Sequence, residues 1–248
     1  MGRREIFKDG RDREHFIELL EGMVGRYGVF LHAFVLMDNH YHLLIETPAG
    51  NTSRALQWLN LSYSMWFKAK RNHSGPVLQA RFKSIPVDAD GSWALTCSVY
   101  IHINPVRVKA LGLGKEERKA ELSAKEPPAE QVLARLAKLR SHRWSSFPAY
   151  AGYAPKPEWL TCETVWLRAC ATKGQDAKAL YRRCLEDYLR QGVEEGAFAR
   201  ITAAVAIGGK AFIERLRKRV PKRAGGETNA RAWRRLLPSA ARAPAAAN

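Results

Sequence analysis

Cysteine is scarce and scattered: Cys97, Cys162, Cys170 and Cys184 lie far apart with no C-x-x-C spacing. That excludes a zinc ribbon or a thioredoxin-like redox pair, and the four read as reduced core residues. Long apolar runs are missing as well. No stretch approaches the ~18 apolar residues of a membrane helix, and the charged, mixed N-terminus lacks the apolar centre of a signal peptide, so a cytoplasmic location is expected. Neither a P-loop nor a Ser/His/Asp set is found. Acidic residues are also few: 24 Asp and Glu face 41 Lys and Arg in 248 residues, a net charge of +17 with a pI near 10.0. Such an excess makes a polyanion, nucleic acid above all, the first partner to expect.

The charge is uneven. Residues 210–248 hold eleven Lys or Arg against two Glu, so +9 of the +17 sits in that segment. Long basic runs of this kind usually belong to a solvated face or tail, yet an excess this large favours phosphate contact. The final PSAARAPAAAN is low-complexity and is expected to be disordered.

Upstream of that tail the pattern is that of a folded domain. In Asp9 to Tyr27 the residues Phe16, Leu19, Leu20 and Met23 recur at helical spacing, which predicts an amphipathic helix over a sheet. VFLHAFVLM from Val29 is apolar on both faces, Asp38-Asn39 is turn chemistry and HYHLLIET alternates. A β-hairpin follows, with His40 and His42 opening its second strand. Ser53 is expected to cap a helix running to about Arg71, NHSGP to break it, and LQARFKSIPVD to form a strand carrying Arg81 and Lys83. A further helix begins near Asp90 to Ser92 and must end by Asn104, because the residue before Pro105 is driven out of the α region. This order of elements predicts an α+β fold, an antiparallel sheet covered by helices.

Two pairs of residues could carry chemistry. Residues two apart on a strand share a face, so His40 and His42 can offer two imidazoles to one cation, although two partly exposed strand histidines would have the same spacing. Tyr100 and Asn104, four apart near a helix end, also share a face, as any core tyrosine and helix-terminating asparagine at that spacing would. Between the pairs, Arg54, Lys68, Lys70, Arg71, Arg81 and Lys83 interleave with Trp58, Tyr63, Trp66, Phe67 and Phe82, the mixture that holds single-stranded nucleic acid. Trp58 and Trp66 read better as core.

Taken in order, AFVLMDNHYHLLIETP, LQARFKSIPV, YIHINPVR and HRWSSFPAY resemble REP-associated tyrosine transposases and their single-tyrosine insertion-sequence relatives in the HUH endonuclease superfamily. The resemblance runs from about Ile6 to Tyr153. It implies a ferredoxin-like HUH sheet and a transposase that cleaves and rejoins single-stranded, hairpin-containing DNA. By the same resemblance Tyr100 is the nucleophile, forming a 5′-phosphotyrosine. His40, His42 and Asn104 are the ligands of a divalent metal, Mg²⁺ or Mn²⁺. Lys68, Arg71, Arg81, Lys83 and Arg107 are the candidate DNA contacts, and a nucleoid-associated protein is expected. A non-catalytic DNA-binding protein, decayed or domesticated, shares these features and is the alternative. Monomer and homodimer both remain open.

The expected organisation is a catalytic domain at 1–111, a linker or insertion at 112–141, and an aromatic segment at 142–160 closing the domain. A helical extension at 161–220, a candidate DNA-binding module, and a basic tail at 221–248 follow. Relatives carry a further strand before the segment matching Arg3 to Phe7. Its absence here leads to the expectation of an unpaired apolar edge along Val29 to Leu36, and of a start codon upstream or a truncated gene.

Overall fold

The computed structural model describes residues 4–78, 82–114, 127–169, 176–191 and 206–219. Its N-terminal half follows the expected order: helix α1 (Gly10–Tyr27), strands β1 (Phe30–Leu36) and β2 (Tyr41–Glu46), helix α2 (Thr52–Arg71) and helix α3 (Trp93–Ile103). Beyond two short 3-10 turns come α4 (Ala129–Ser141), the single turn α5 (Phe147–Tyr150), α6 (Glu163–Ala169), α7 (Ala177–Gln191) and α8 (Lys210–Arg219). The fold is α+β, with a helical C-terminal half as anticipated. The tail from 220 onward and the heart of the charged linker, 115–126, fall outside the described residues.

Local chemistry explains the ends of α1. The Asp9 carboxylate accepts from the Asp12 N–H and so caps the helix, and Gly28 closes it at φ 60°, the left-handed conformation that glycine adopts without cost. Helix α2 starts two residues earlier than expected. Asn51, not Ser53, sits at its N-cap; it makes no side-chain cap bond, and its Nδ2 donates to the Tyr27 carbonyl at 2.8 Å. Helix α3 gives way at Asn104 to a 3-10 turn through Pro105, as the proline requires.

Strand β1 is apolar on both faces because helices cover both. Phe34 and Leu36 join the main core with Phe16, Leu20 and Leu59, while Ala33 and Val35 pack with Ile101 of α3. From Leu31 to Leu36 every residue is buried. One edge of the strand pairs antiparallel with β2, from Phe30 opposite Glu46 to Leu36 opposite Tyr41.

The other edge, expected to be bare, is covered by the segment 144–161. Leu36 N–H donates to the Trp144 carbonyl at 2.8 Å, Ser146 N–H to the Phe34 carbonyl at 3.0 Å, and Thr161 N–H to the Leu31 carbonyl at 2.9 Å. Side chains complete the edge. Ser146 Oγ accepts from Phe34 N–H at 2.9 Å, and Tyr150 Oη donates to the His32 carbonyl at 2.6 Å. The chain thus satisfies its buried strand with a partner more than one hundred residues away, which local periodicity does not reveal.

Two further expectations are corrected. Residues 82–86 are irregular, with only an isolated bridge from Val87 to Ile207, so no strand forms there; residues 79–81 are outside the described set. Pro86 has no N–H to give a ladder. The stretch after Gly112 is not wholly linker either, since Leu113 is completely buried. Among the cysteines, Cys97 and Cys162 are buried free thiols pushed up to about 12 by burial, Cys184 is exposed, and Cys170 lies outside the described residues.

The edge closure predicts a measurable cost. Replacing Tyr150 with Phe keeps the ring but leaves the buried His32 carbonyl short of a donor, so unfolding in urea should show a loss of about 1–2 kcal/mol with an unchanged m-value. Stability equal to the parent's would show that the hydroxyl contributes nothing to the edge.

Candidate active site

The alternation of β2 sorts its side chains. Tyr41 turns toward α1 and α2, its ring 4.8 Å from Phe16 and its Oη donating to Asn60 Oδ1 at 2.6 Å. His42, next in the strand, turns the opposite way and meets Tyr100 of α3, ring centroids 5.8 Å apart and nearly perpendicular. His40, two residues earlier, lies on the same side with its ring 5.0 Å from that of His42. The expected pairs are therefore brought together: two imidazoles from the hairpin and one phenol from the helix packed over it.

Helix α3 ends where this site needs polar groups. Asn104 Nδ2 donates to the Tyr100 carbonyl at 2.8 Å, which fixes the amide and leaves its Oδ1 as the atom able to ligate. Arg107, just past the 3-10 turn, sets its guanidinium carbon 4.9 Å from the Tyr100 ring centroid, a cation–π distance. One positive charge thus stands beside the phenol.

Burial, with smaller contributions from His40 and Arg107, pushes His42 down to about 4, so its imidazole is neutral at physiological pH. Neutral imidazole is the form that binds a metal. At His40, Nδ1 lies 2.5 Å from Asn39 Oδ1; if that nitrogen carries the proton, the bond orients the ring and leaves Nε2 for a ligand. No group of three or more His, Cys, Asp or Glu able to hold a metal occurs among the described residues. Two imidazoles and one amide oxygen are a donor chemistry that would leave a cation open positions for water or a phosphate oxygen.

The other expected DNA contacts fare differently. Arg71 is engaged on the fold: it donates to Asp9 at 2.6 Å and to Asp12 at 2.8 Å, and Lys70 adds bonds to the same two carboxylates. Asp12 is completely buried. The backbone bond from Asp12, joined by the bonds from Lys70 and Arg71, holds Asp9 well below the usual carboxylate range. The ion pairs join the start of α1 to the end of α2, away from the side of the sheet that His42 faces. Lys68 and Lys83 are exposed, and Arg81 is outside the described residues. Trp58 and Trp66 pack on the core as expected.

Sequence reasoning missed a buried polar cluster on the far side of α3. His102 is completely buried, its Nδ1 2.7 Å from Tyr181 Oη and its Nε2 2.6 Å from Ser146 Oγ. Tyr181 Oη in turn donates to Ser98 Oγ at 3.0 Å. The available signal was spacing: Ser98 and His102 are four apart, so two polar groups share a face on an otherwise apolar helix.

No curated protein and no solved structure matches the chain. A family model does, described as transposase, IS200 like, and it covers residues 1–102. That segment contains the hairpin with His40 and His42 and the helix with Tyr100, whereas Asn104, Arg107 and the strand-closing residues 144–161 lie past its end. Over residues 1–102 the chain is similar to the IS200-like transposase family.

Proposed function

We propose that this protein is a transposase that cleaves and rejoins single-stranded DNA through a covalent phosphotyrosine at Tyr100. One observation carries the reading: of the tyrosines near the hairpin, it is Tyr100 whose ring meets His42, with Arg107 against its face. Tyr41 is an unsuitable rival. It faces the opposite side, is hydrogen-bonded to Asn60, and is pushed up to about 12 by burial.

A free phenol with a pKa near 10 is only ~0.1% ionised at neutral pH, so it needs help as a nucleophile. In the proposed step Tyr100 Oη attacks the scissile phosphorus. The Tyr–O–P bond forms, the bond to the 3′-oxygen breaks, the phenolic proton goes to solvent and the departing 3′-oxygen takes one up. The products are a 5′-phosphotyrosine and a free 3′-hydroxyl, and the reverse reaction joins a new strand without ATP. His40, His42 and Asn104 Oδ1 would hold a divalent cation, whose chemistry is Lewis-acid stabilisation of the phosphoryl oxygens. Two imidazoles are a softer shell than Mg²⁺ usually takes, so Mn²⁺ is expected to bind more tightly. Arg107 contributes a fixed positive charge where negative charge develops.

Hairpin-containing DNA is the proposed substrate, held by Lys68, Lys83 and Arg81 and by the basic C-terminal residues. Helix α8 supports a part for that region. It is anchored to the central segment by the bridge from Val87 to Ile207 and by Gly209 N–H donating to Asp88 at 3.2 Å, so its basic side chains are held on the folded body. Arg71, bound by two carboxylates, is better regarded as part of the fold than as a DNA contact.

Replacing Tyr100 with Phe should abolish the covalent adduct seen on a denaturing gel with Mn²⁺ and hairpin DNA, while DNA affinity stays within about twofold, since only the hydroxyl is lost. Adduct persisting in that variant would remove Tyr100 from the reaction, and a parent that binds DNA without ever forming one would favour the non-catalytic alternative.

A second prediction concerns the histidines. Calorimetry should show His40→Ala and His42→Ala each weakening Mn²⁺ binding by at least about tenfold, with far less effect on DNA binding. If both variants bind Mn²⁺ as the parent does, the cation is held by other residues.

A further inference from the structure

The hydrogen bonds around His102 form a chain with one consistent direction. Ser98 Oγ–H donates to the Leu95 carbonyl at 2.8 Å, so Ser98 Oγ is free to accept from Tyr181 Oη–H at 3.0 Å. Tyr181 Oη, having given its only proton, must accept from His102 Nδ1, 2.7 Å away. His102 Nε2 is then an acceptor, filled by Ser146 Oγ–H at 2.6 Å, and Ser146 Oγ accepts the Phe34 N–H of β1. Ser146 Oγ–H has a second acceptor in the Phe34 carbonyl at 3.3 Å, farther than His102 Nε2, so the shorter bond sets the direction. A buried chain whose members are all hydrogen-bonded resists displacement of the groups that compose it, because moving one away leaves polar atoms unpaired in a dry interior.

Its members come from separate parts of the chain. Ser98 and His102 are one turn apart on α3, Tyr181 lies on α7, and Ser146 lies at the covered edge of β1. Tyr100 stands between Ser98 and His102 in sequence. At 3.6 residues per turn, two residues are separated by about 200° around the axis, so Tyr100 projects from the side opposite the network. Two attachment points one turn apart resist both sliding and rotation of the helix. The size of the effect matters: a rotation of roughly 20° would move a side-chain tip at the helix surface by roughly 2 Å. A misplacement of about 1 Å at a reacting centre can cost about a hundredfold in rate.

We propose that α7, which lies beyond the family-matched residues, serves to fix the nucleophile's helix, with Tyr181 as a positioning residue that sets Tyr100 against His42 through Ser98 and His102. The inference rests on the phosphotyrosine reading for its catalytic consequence, but not for its mechanical one. Tyr181 does not touch the reacting atoms. It acts on them by holding the opposite face of α3, and it gives the C-terminal helices a part in the site that is separate from DNA contact.

Tyr181→Phe in the full chain tests this, because it keeps the ring and removes the oxygen that joins His102 to Ser98. Two quantities are read: single-turnover cleavage of hairpin DNA with Mn²⁺, and amide hydrogen exchange along the chain. The expected result is a fall in kcat of about tenfold or more at unchanged KM, with faster exchange confined to α3. Unchanged exchange in α3 overturns the proposal, and so does faster exchange with unchanged kcat, or a uniform rise across the whole chain that marks general destabilisation. Should the parent form no adduct, the phosphotyrosine reading fails, and the exchange measurement alone still decides whether Tyr181 holds the helix. If the phenylalanine variant does not fold, Ser98→Ala removes the acceptor at the other end of the bond, and the same two readouts apply with the same expected and contrary results.

Discussion

A β-strand buried on both faces cannot leave either edge without hydrogen-bond partners. Strand β1 meets that condition with unlike partners, β2 on one edge and the distant segment 144–161 on the other. Each buried backbone group left unmade would cost about 1–3 kcal/mol, and the second edge satisfies several. The sum is comparable with the whole stability of an ordinary domain, about 5–15 kcal/mol. The matched residues 1–102 therefore do not complete their own sheet: the aromatic and serine-rich HRWSSFPAY segment does so.

From this edge the site follows in steps. With β1 fixed, β2 has a defined register and its alternation is set, sending Tyr41 into the core and His42 toward α3. Helix α3 rests on the same strands and carries Tyr100 to the histidines. Its opposite face is tied through His102 to Ser146, the residue that also caps Phe34 on β1. One serine thus links the closure of the sheet to the seat of the tyrosine helix.

Much of this arrangement was legible from local pattern, and the parts that were not share a cause. The hairpin, both histidines, the Tyr100/Asn104 spacing and the helix stop before Pro105 all depend on residues a few positions apart, where periodicity and turn chemistry speak directly. The pairing of Phe34 with Ser146 spans 112 residues and has no local signature. Arg71 looked like a phosphate ligand because its charge is visible and the buried carboxylate of Asp12, 59 residues earlier, is not visibly its partner. The expected strand at LQARFKSIPVD failed for a related reason. A strand exists only where a neighbour pairs with its backbone over several residues, and here the pairing is an isolated bridge at Val87, with Ile207 N–H donating to the Pro86 carbonyl at 2.8 Å. His102 escaped notice because a histidine on an apolar helix face resembles any core residue until its partners from α7 and the β1 edge are known.

The central claim is chemical: the oxygen that becomes esterified to DNA belongs to Tyr100. Peptide mass spectrometry after incubation with a short hairpin oligonucleotide and Mn²⁺ tests it most directly, since nuclease digestion leaves a nucleotide remnant on whichever residue was joined. The account predicts that remnant on the peptide containing Tyr100, linked through a 5′-phosphate and abolished by chelation of the metal. A remnant on another tyrosine, or cleaved DNA with free ends and no modified peptide, would contradict it.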